Sequence, residues 1–175
     1  SRPARTVRTY TWDTRHRLTS ETEGYETTFY TYLRTFESRL ESVQQPDGYR
    51  IDYAYDAALR LVGARDNRGA SVEYTLDAAG NRVREEVRDE TGQLARVTTR
   101  AINALGRVAA LQDARGQTTT FAYDANGEAI SVTDPLNQTT HQTLDGLRRV
   151  TATTFPDNAG TLNTWSALDQ LTSVK

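Results

Sequence analysis

The stretch FAYDANGEAISVTD, residues 121–134, contains a pattern that recurs along the whole chain. Aligning the position of Asp124 with its counterparts gives eight marker positions, separated by 20, 23, 21, 26, 21, 21 and 21 residues. These markers are Asp13, Leu33, Asp56, Asp77, Asn103, Asp124, Asp145 and Ser166. Because four of the seven gaps equal 21 and the others differ by a few residues, the chain is a tandem repeat.

The neighbours of the markers recur in phase. The residue before each marker is large and apolar or aromatic: Trp12, Tyr32, Tyr55, Leu76, Ile102, Tyr123, Leu144 and Trp165. Three residues after the marker stands Gly80, Gly106 or Gly127, and elsewhere His16, Leu59, Arg148 or Asp169. A second turn follows, with Asp66, Asp113 or Asp134 at its start and Gly48, Gly69, Gly92, Gly116 or Asn137 at its end. Aspartate binds its own backbone and glycine accepts positive φ, so both patterns predict tight turns.

Between these turns the sequence alternates between large and small or polar side chains, as in TTTFAYD (118–124) and SVEYTLD (71–77). Such alternation is typical of β-strands. We predict strands centred near 51–55, 72–76, 119–123 and 140–144, with turns near 56–59, 77–80, 124–127 and 145–148. One stretch, TYLRTFESRLESV (31–43), has helix-compatible apolar spacing, but its repeat phase favours strand. The predicted fold is all-β, built from tandem antiparallel β-hairpin repeats.

Composition excludes several classes of function. The 175 residues are 37% hydrophobic and carry 21 basic and 23 acidic side chains, for a net charge of −2. This mixed charge lacks the one-sided basic field of nucleic-acid-binding proteins, so we expect no nucleic-acid partner. No apolar run approaches the length of a membrane span, and without cysteine there is no disulfide framework. Since the chain also lacks methionine, we expect it to be an internal piece of a longer protein.

The repeat unit resembles the YD repeats of the Rhs family. The resemblance rests on YAYDAALRLVGARDNRG (53–69), INALGRVAALQDARGQTTTFAYD (102–124) and FAYDANGEAISVTDPLNQTT (121–140). The family pattern is Tyr-Asp-x-x-Gly-Arg-Leu, then Asp-Pro-x-Gly, then Thr-x-Tyr-x-Tyr-Asp. The similarity extends from about Tyr10 onward, so we expect a lead-in over 1–9 and a YD-repeat β-domain of about eight units over 10–175.

The resemblance implies strands that form part of a curved, shell-like sheet. In bacteria such shells enclose the C-terminal toxin of polymorphic toxins and secretion-system effectors. The implied partners are the other repeats of the shell, an enclosed toxin domain and a secretion machinery, and the implied location is outside the producing cell. The family's self-cleavage core, of the aspartate-proline-glycine-leucine type, does not occur here, and DPLN at 134–137 matches an ordinary repeat turn.

Catalytic and metal-binding constellations are weak in this sequence. His16 stands at a turn position and His141 in a strand among threonines, so they do not indicate a hydrolase triad. The pairs Glu85–Glu86 and Asp89–Glu90 are adjacent in sequence, and neighbours on a strand point to opposite faces. We interpret them as solvated groups with Arg82, Arg84 and Arg88 as partners.

The segment DANGE, 124–128, echoes a calcium loop but lacks the remaining ligands of an EF-hand. We therefore assign no catalytic, cofactor-binding or metal-binding residue, require no cofactor and expect no enzymatic activity.

The recurring tyrosines leave one alternative open. Exposed aromatic rings along a β-face, Tyr123 among them, can stack on sugars, which would make the chain a carbohydrate-binding or adhesion module at a bacterial cell surface. Because the tyrosines recur in register rather than clustering in one concave site, we favour cross-strand packing as their role.

Overall fold

The computed structural model describes residues 7–35 and 37–175, and this part of the chain contains sixteen β-strands and no helix. It accordingly offers no helix with the length and apolarity needed to cross a membrane. The strands are β1 (Arg8–Trp12), β2 (Leu18–Glu23), β3 (Glu26–Tyr32), β4 (Leu40–Gln44), β5 (Arg50–Tyr55), β6 (Leu61–Asp66), β7 (Ser71–Leu76), β8 (Arg82–Arg88), β9 (Leu94–Ile102), β10 (Val108–Asp113), β11 (Thr118–Tyr123), β12 (Ala129–Thr133), β13 (Thr139–Leu144), β14 (Val150–Thr154), β15 (Gly160–Trp165) and β16 (Leu171–Val174).

The chain divides into two compact units, residues 1–97 and 98–175. In the first unit, β1 to β8 pair antiparallel, each strand with the next along the chain. In the second unit, residues 98–102 of β9 pair with β10, and the same order continues to β16. This confirms the predicted all-β fold of tandem antiparallel hairpins.

The four predicted strands are β5, β7, β11 and β13. The stretch 31–43 forms the end of β3, a connection and the start of β4, so its described residues contain no helix; Phe36 lies outside the described residues.

A β-bulge occurs at the same place in seven of the repeats. The pairing register shifts immediately before the large residue that precedes the marker, as between Ala122 and Tyr123. The same shift occurs before Trp12, Tyr32, Tyr55, Leu76, Leu144 and Trp165. A bulge bends its strand and increases the local twist. The repeat therefore places the large residue at a bend, immediately before the turn.

The two faces of the strands differ in side-chain size. In the first unit the register places Tyr30, Val43 and Ile51 on one face. The opposite face carries smaller or polar residues, including Thr31, Ser42 and Asp52. The second unit repeats this division, with Phe121 and Val132 paired on one face and Ala122 and Ser131 on the other.

Burial is slight on both faces. Among the described residues, Val97 is the only hydrophobic side chain that counts as buried, with 8% exposure. The chain exposes 12477 Å², whereas a compact monomer of this length exposes about 8,500 Å². The strands are therefore not held together by a conventional hydrophobic core, and other interactions must connect one repeat to the next.

The turns adopt one conformation regardless of residue type. The seven glycines that the repeat assigns to turns all have positive φ, from 74° at Gly106 to 110° at Gly69. The residues that replace glycine also have positive φ: His16, Leu59, Asn137, Arg148 and Asp169, at 57–64°. Asn158, which the sequence did not assign to a turn, has a φ of 64°. The turn geometry is thus imposed by the repeat and is easiest for glycine to satisfy.

Substituting Gly127 tests this geometry. Gly127 has a φ of 86°, and a Cβ built there would overlap the Arg107 guanidinium. Gly116 has a similar φ of 79° with nothing within 4 Å of such a Cβ. We expect Gly127→Val to lower the unfolding free energy by more than about 1 kcal/mol, since a β-branched residue is strained at positive φ. Gly116→Val, the matched control, should cost less. Equal urea midpoints for Gly127→Val and the wild type would contradict this account.

Candidate functional site: the junction between repeats

The marker residue closes its own turn with its side chain. Oδ1 of Asp145 accepts hydrogen bonds from the backbone amides of Leu147 at 2.9 Å and Arg149 at 3.0 Å. Asp13, Asp56 and Asn103 accept the same two bonds, and Ser166 accepts them through its hydroxyl. These bonds confirm the prediction that the marker side chain satisfies turn amides. They occupy donors that the hairpin ladder leaves free.

The arginine four residues after the marker binds the same carboxylate. Arg149 Nε donates to Asp145 Oδ2 at 2.7 Å, and the pairs Asp13–Arg17 and Asp56–Arg60 have the same 2.7 Å distance. The hydrogen bonds from Arg149 lower the pKa of the Asp145 carboxyl below its usual range. Backbone hydrogen bonds from Arg17 and Arg60 are the leading cause of the lowered pKa values of Asp13 and Asp56.

The same arginine also reaches the following repeat. The Arg17 guanidinium carbon lies 4.5 Å from the ring centroid of Tyr32, the aromatic residue before the next marker. Two further pairs have this geometry, Arg107 with Tyr123 at 5.6 Å and Arg149 with Trp165 at 5.7 Å. Such cation–π contacts contribute about 0.5–1 kcal/mol at exposed sites.

Two of these arginines donate to the backbone of the next turn as well. Arg149 Nη1 lies 3.0 Å from the carbonyl oxygen of Ser166, and Arg60 Nη1 lies 3.3 Å from that of Asp77. The acceptor is in both cases the next marker. One guanidinium therefore contacts the turn of its own repeat and the turn of the following one.

The aromatic residue completes the connection in the opposite direction. The Tyr123 hydroxyl donates to the backbone oxygen of Val108, in the preceding repeat, at 2.7 Å. Tyr32 donates to Leu18, Tyr55 to Leu40 and Trp165 Nε1 to Val150, each at 2.9 Å. The acceptor is the first or second residue after the preceding turn, where the bulge interrupts the ladder. The ring thus supplies a hydrogen bond at the place where backbone pairing is irregular.

We call this set of groups the repeat junction: the marker carboxylate, the arginine four residues later, and the aromatic residue that precedes the next marker. The junction between Asp145, Arg149 and Trp165 is complete, and so is the one between Asp13, Arg17 and Tyr32. What it does chemically is recognition of one repeat by the next. The sequence predicted the carboxylate's role but missed the arginine and the aromatic donor, although arginine recurs at positions 17, 60, 107 and 149.

The opposite turns have a related contact in the first unit. The Tyr49 hydroxyl donates to Asp66 Oδ2 at 3.1 Å, and the Arg68 guanidinium lies 5.0 Å from the Tyr49 ring. Here again an aspartate, an arginine and a tyrosine connect two successive turns.

The two histidines stand apart from one another in the fold. His16 has a φ of 57° in the turn between β1 and β2, in the first unit. His141 lies in β13 of the second unit, opposite Ser131 and Thr154. Each therefore occupies the kind of position that the sequence predicted for it. Neither has a resolved contact to a carboxylate among the described residues.

The adjacent carboxylates lie on opposite faces of β8. Glu86 binds Arg84 at 2.7 Å and Arg88 at 3.1 Å, and Glu85 binds Arg96 on the neighbouring strand. The prediction that Arg84 and Arg88 are carboxylate partners is confirmed. The prediction for Arg82 is wrong, because its guanidinium lies 3.8 Å from the ring centroid of Tyr74 instead.

The pair Asp89–Glu90 separates in the same way. Asp89 caps its own turn by accepting from the amides of Thr91 and Gln93.

The remaining candidates are also accounted for by turns or by open surface. In the segment 124–128, Asp124 accepts from the Glu128 amide and Glu128 binds Arg148. Among residues 7–35 and 37–175, no three histidine, aspartate or glutamate side chains are grouped so that they could hold a metal ion. A hollow of 500 Å³ over Gly63 has Asp52, Glu73 and Glu86 in its wall, and the described residues that line it include no histidine.

Comparison with protein families identifies the repeat. A family model described as RHS Repeat matches residues 103–128 and 123–159. The chain is an Rhs/YD-repeat segment. The two matches begin at Asn103 and Tyr123, which are a marker and the aromatic residue before the next marker. They therefore overlap at a repeat junction.

Solved structures share this fold at low sequence identity. The crystal structure of TcdB2-TccC3-Cdc42 has a TM-score of 0.76 at 15% identity, covering 93% of this chain and 10% of that chain. TcdB2-TccC3 without its hypervariable C-terminal region has a TM-score of 0.78 at 14% identity, covering 95% and 10%. The Photorhabdus luminescens Tc holotoxin pore has a TM-score of 0.72 at 15% identity, covering 91% and 10%.

These likenesses show the fold, and this Rhs-repeat segment spans a tenth of each of those chains. No curated protein sequence matches it.

One junction lacks its carboxylate. Asn103 stands at the marker before Arg107, and Arg107 Nη1 is buried without a hydrogen-bond partner among the described residues. We expect Asn103→Asp to create the missing ion pair and to raise the unfolding free energy by about 0.5–1 kcal/mol. Thermal unfolding should show a midpoint higher by a few degrees. Asp113→Asn, a matched control that changes the same functional group in the opposite turn, should not stabilise the chain. A melting temperature below that of the wild type for Asn103→Asp would contradict the assignment.

The marker carboxylates make stability depend on acid. Their pKa values are lower in the folded chain than in the unfolded chain, so their contribution is fully present above the unfolded pKa of about 3.9 and is lost as the pH falls through the folded pKa. Urea unfolding should give similar free energies at pH 7 and pH 5 and a lower value at pH 3. Asp145→Asn should be less stable at pH 7 and should lose less on acidification. A stability that rises between pH 5 and pH 3 would show that the carboxylates are not held in their charged form.

Proposed function

We propose that this chain is a non-catalytic wall segment of an Rhs-type shell that encloses a C-terminal toxin. The observation that carries the proposal is the repeat junction. It connects successive hairpins through their turns and leaves both faces of the strands largely uncovered. An array held in this way can be extended by adding repeats without enlarging a hydrophobic core. A wall needs that property, because it must cover a large area with a single layer.

The difference between the two faces supports this role. The face that carries Thr31, Ser42 and Asp52 in the first unit is small and polar, and so is the face that carries Ala122 and Ser131 in the second. Side chains of this kind present little apolar surface for an enclosed polypeptide to bind. The larger aromatic and aliphatic residues of the other face pack against one another across the strands. A wall with one smooth, polar face would separate a cargo from the surroundings without holding it tightly.

The proposal assigns partners and a location as well. The partners are further repeats of the same shell, an enclosed toxin domain and a secretion machinery, and the place of action is outside the producing bacterium. The similarity in fold to TcdB2-TccC3 and to a Tc holotoxin pore supports a toxin context, since those names describe toxin complexes. As this segment spans a tenth of those chains, the toxic activity would reside elsewhere in the longer protein.

A catalytic role for the segment itself has less support. Its carboxylates at the markers are engaged by turn amides and by arginine, and His16 and His141 belong to different units. General acid–base catalysis needs such groups within hydrogen-bonding reach of one substrate. The enzyme reading has no group of described residues that meets this condition.

Carbohydrate binding is the second candidate, and one observation favours it. Tyr10 and Trp12 are two residues apart on β1 and are 48% and 59% exposed. Alternate residues of a strand lie on one face, so the two rings could form a stacking platform for a sugar. Tyr123, by contrast, has its hydroxyl bound to Val108 and is less available. Binding on a glycan array that Trp12→Ala abolishes, while Tyr25→Ala does not, would favour this second function.

The wall function is tested in the longer protein that carries this segment. Tyr123→Ala with Asp124→Ala removes the hydroxyl bond to Val108 and the turn cap of one repeat. We expect an enclosed domain that resists protease in the wild type to become cleavable in the double variant, at a protease concentration that leaves the wild type intact. Tyr25→Ala is the control, since Tyr25 is fully exposed in the turn after β2. If the wild-type protein offers its C-terminal domain no more protection than the isolated domain has, the segment does not form part of an enclosing wall.

A further inference from the structure

Successive turns along the marker edge contact each other through a fixed pair of positions. The residue four after one marker lies beside the residue three after the next marker. Glu128 Oε1 lies 3.0 Å from Arg148 Nη1, and Arg149 Nη1 lies 2.8 Å from Asp169 Oδ1. The Arg107 guanidinium lies where a side chain at Gly127 would be. In the first unit, Arg60 Nη1 would lie 3.6 Å from a Cβ at Gly80.

The contents of these paired positions are complementary in the second unit. Where the first position is Arg107, the second is glycine, which makes room for the guanidinium. Where the first position is Glu128, the second is the cation Arg148, and where it is Arg149, the second is the anion Asp169. The sign of the charge therefore alternates along the edge while each native contact stays favourable.

The same residues would repel each other if one repeat were skipped. A repeat paired with the repeat after next would bring Arg107 against Arg148, two cations, and Glu128 against Asp169, two anions. These are the two skipped pairings available among the four markers of the second unit. Like charges placed directly opposite are destabilising. Both skipped arrangements therefore carry a penalty that the native arrangement lacks.

Tandem repeats need such a penalty. The strands share their alternating pattern with a period of 21 residues, so backbone pairing and side-chain faces are the same in the native and skipped arrangements. Misassembly between similar repeats is a characteristic failure of repeat proteins. We propose that the paired positions, Glu128 with Arg148 and Arg149 with Asp169, are a register code that selects the native neighbour of each repeat. These are positioning residues, and the code operates whether or not the segment forms part of a shell.

A charge swap separates the code from stability. In Glu128→Arg with Arg148→Glu, the native contact remains an ion pair of reversed sense, and the new arginine stands four residues after Asp124, as in the other Asp–Arg junctions. The skipped contacts, however, become attractive, because the new glutamate would face Arg107 and the new arginine would face Asp169. Arg84→Glu with Glu86→Arg is the matched control. It exchanges an ion pair along one strand and changes no contact between marker turns.

Cysteine pairs report the two arrangements, since the chain has no cysteine of its own. Leu111 faces Thr119 in the native pairing of β10 with β11. It would face Thr140, one period of 21 residues later, if the repeat were skipped. Each cysteine pair, Leu111→Cys with Thr119→Cys or Leu111→Cys with Thr140→Cys, is introduced into the wild-type, swapped and control backgrounds. Chains are refolded from urea with oxidised glutathione, and disulfides within and between chains are quantified by mass spectrometry.

We expect the disulfide between positions 111 and 140 to form at least roughly threefold more often in the swapped background than in the wild type. The control exchange should leave its yield unchanged, and the disulfide between positions 111 and 119 should decrease in the swapped chain. Equal yields of the 111–140 disulfide in the wild-type and swapped backgrounds would overturn the proposal. An equal rise in the swapped and control backgrounds would overturn it too, since the effect would then not belong to the marker turns.

Discussion

The guanidinium group that lies between two turns is the interaction on which this structure depends. Arg149 binds the Asp145 carboxylate of its own turn, the Ser166 carbonyl of the next turn and the face of the Trp165 ring. The planar, permanently charged fork of arginine suits several acceptors at once, and its face suits an aromatic ring. Lysine has neither property, and the chain contains lysine only at position 175. The preference for arginine is thus explained by the need for one side chain to join two repeats.

This interaction matters because burial contributes little. With Val97 as the one buried hydrophobic side chain among the described residues, adjacent hairpins must be held by ladder hydrogen bonds, cross-strand pairs and the junctions. The bulge before each marker weakens the ladder locally, and the hydroxyl of Tyr123 or its counterpart compensates with a bond to the preceding repeat. Each repeat therefore contacts mainly its neighbours. Stability should accumulate repeat by repeat, as in other arrays of this type.

Much of the fold followed from local pattern, whereas the junction did not. Alternation and turn residues located the strands and turns, because both depend on residues close together in sequence. The repeat phase even assigned Leu59 and Arg148 to positive-φ positions that their residue types disfavour. The Tyr123–Val108 bond joins residues fifteen apart, and the Arg107–Tyr123 contact joins residues sixteen apart. Such contacts depend on how one hairpin is placed against the next, which no single repeat specifies. Arg82 was assigned to the wrong partner for the same reason, since Tyr74 becomes its neighbour only through the pairing of β7 with β8.

The central claim is that neighbouring repeats are coupled through the arginine and the aromatic ring, and a double-mutant cycle measures that coupling directly. The free energy of unfolding in urea would be determined for the wild type, Arg107→Met, Tyr123→Leu and the double variant; methionine keeps most of the apolar stem of arginine without its charge. We predict a coupling energy of about 0.5–1 kcal/mol in favour of the native pair, the magnitude of an exposed cation–π contact. Additive effects of the two substitutions, with a coupling energy indistinguishable from zero, would mean that the repeats are joined by the strand ladder alone and would contradict the account.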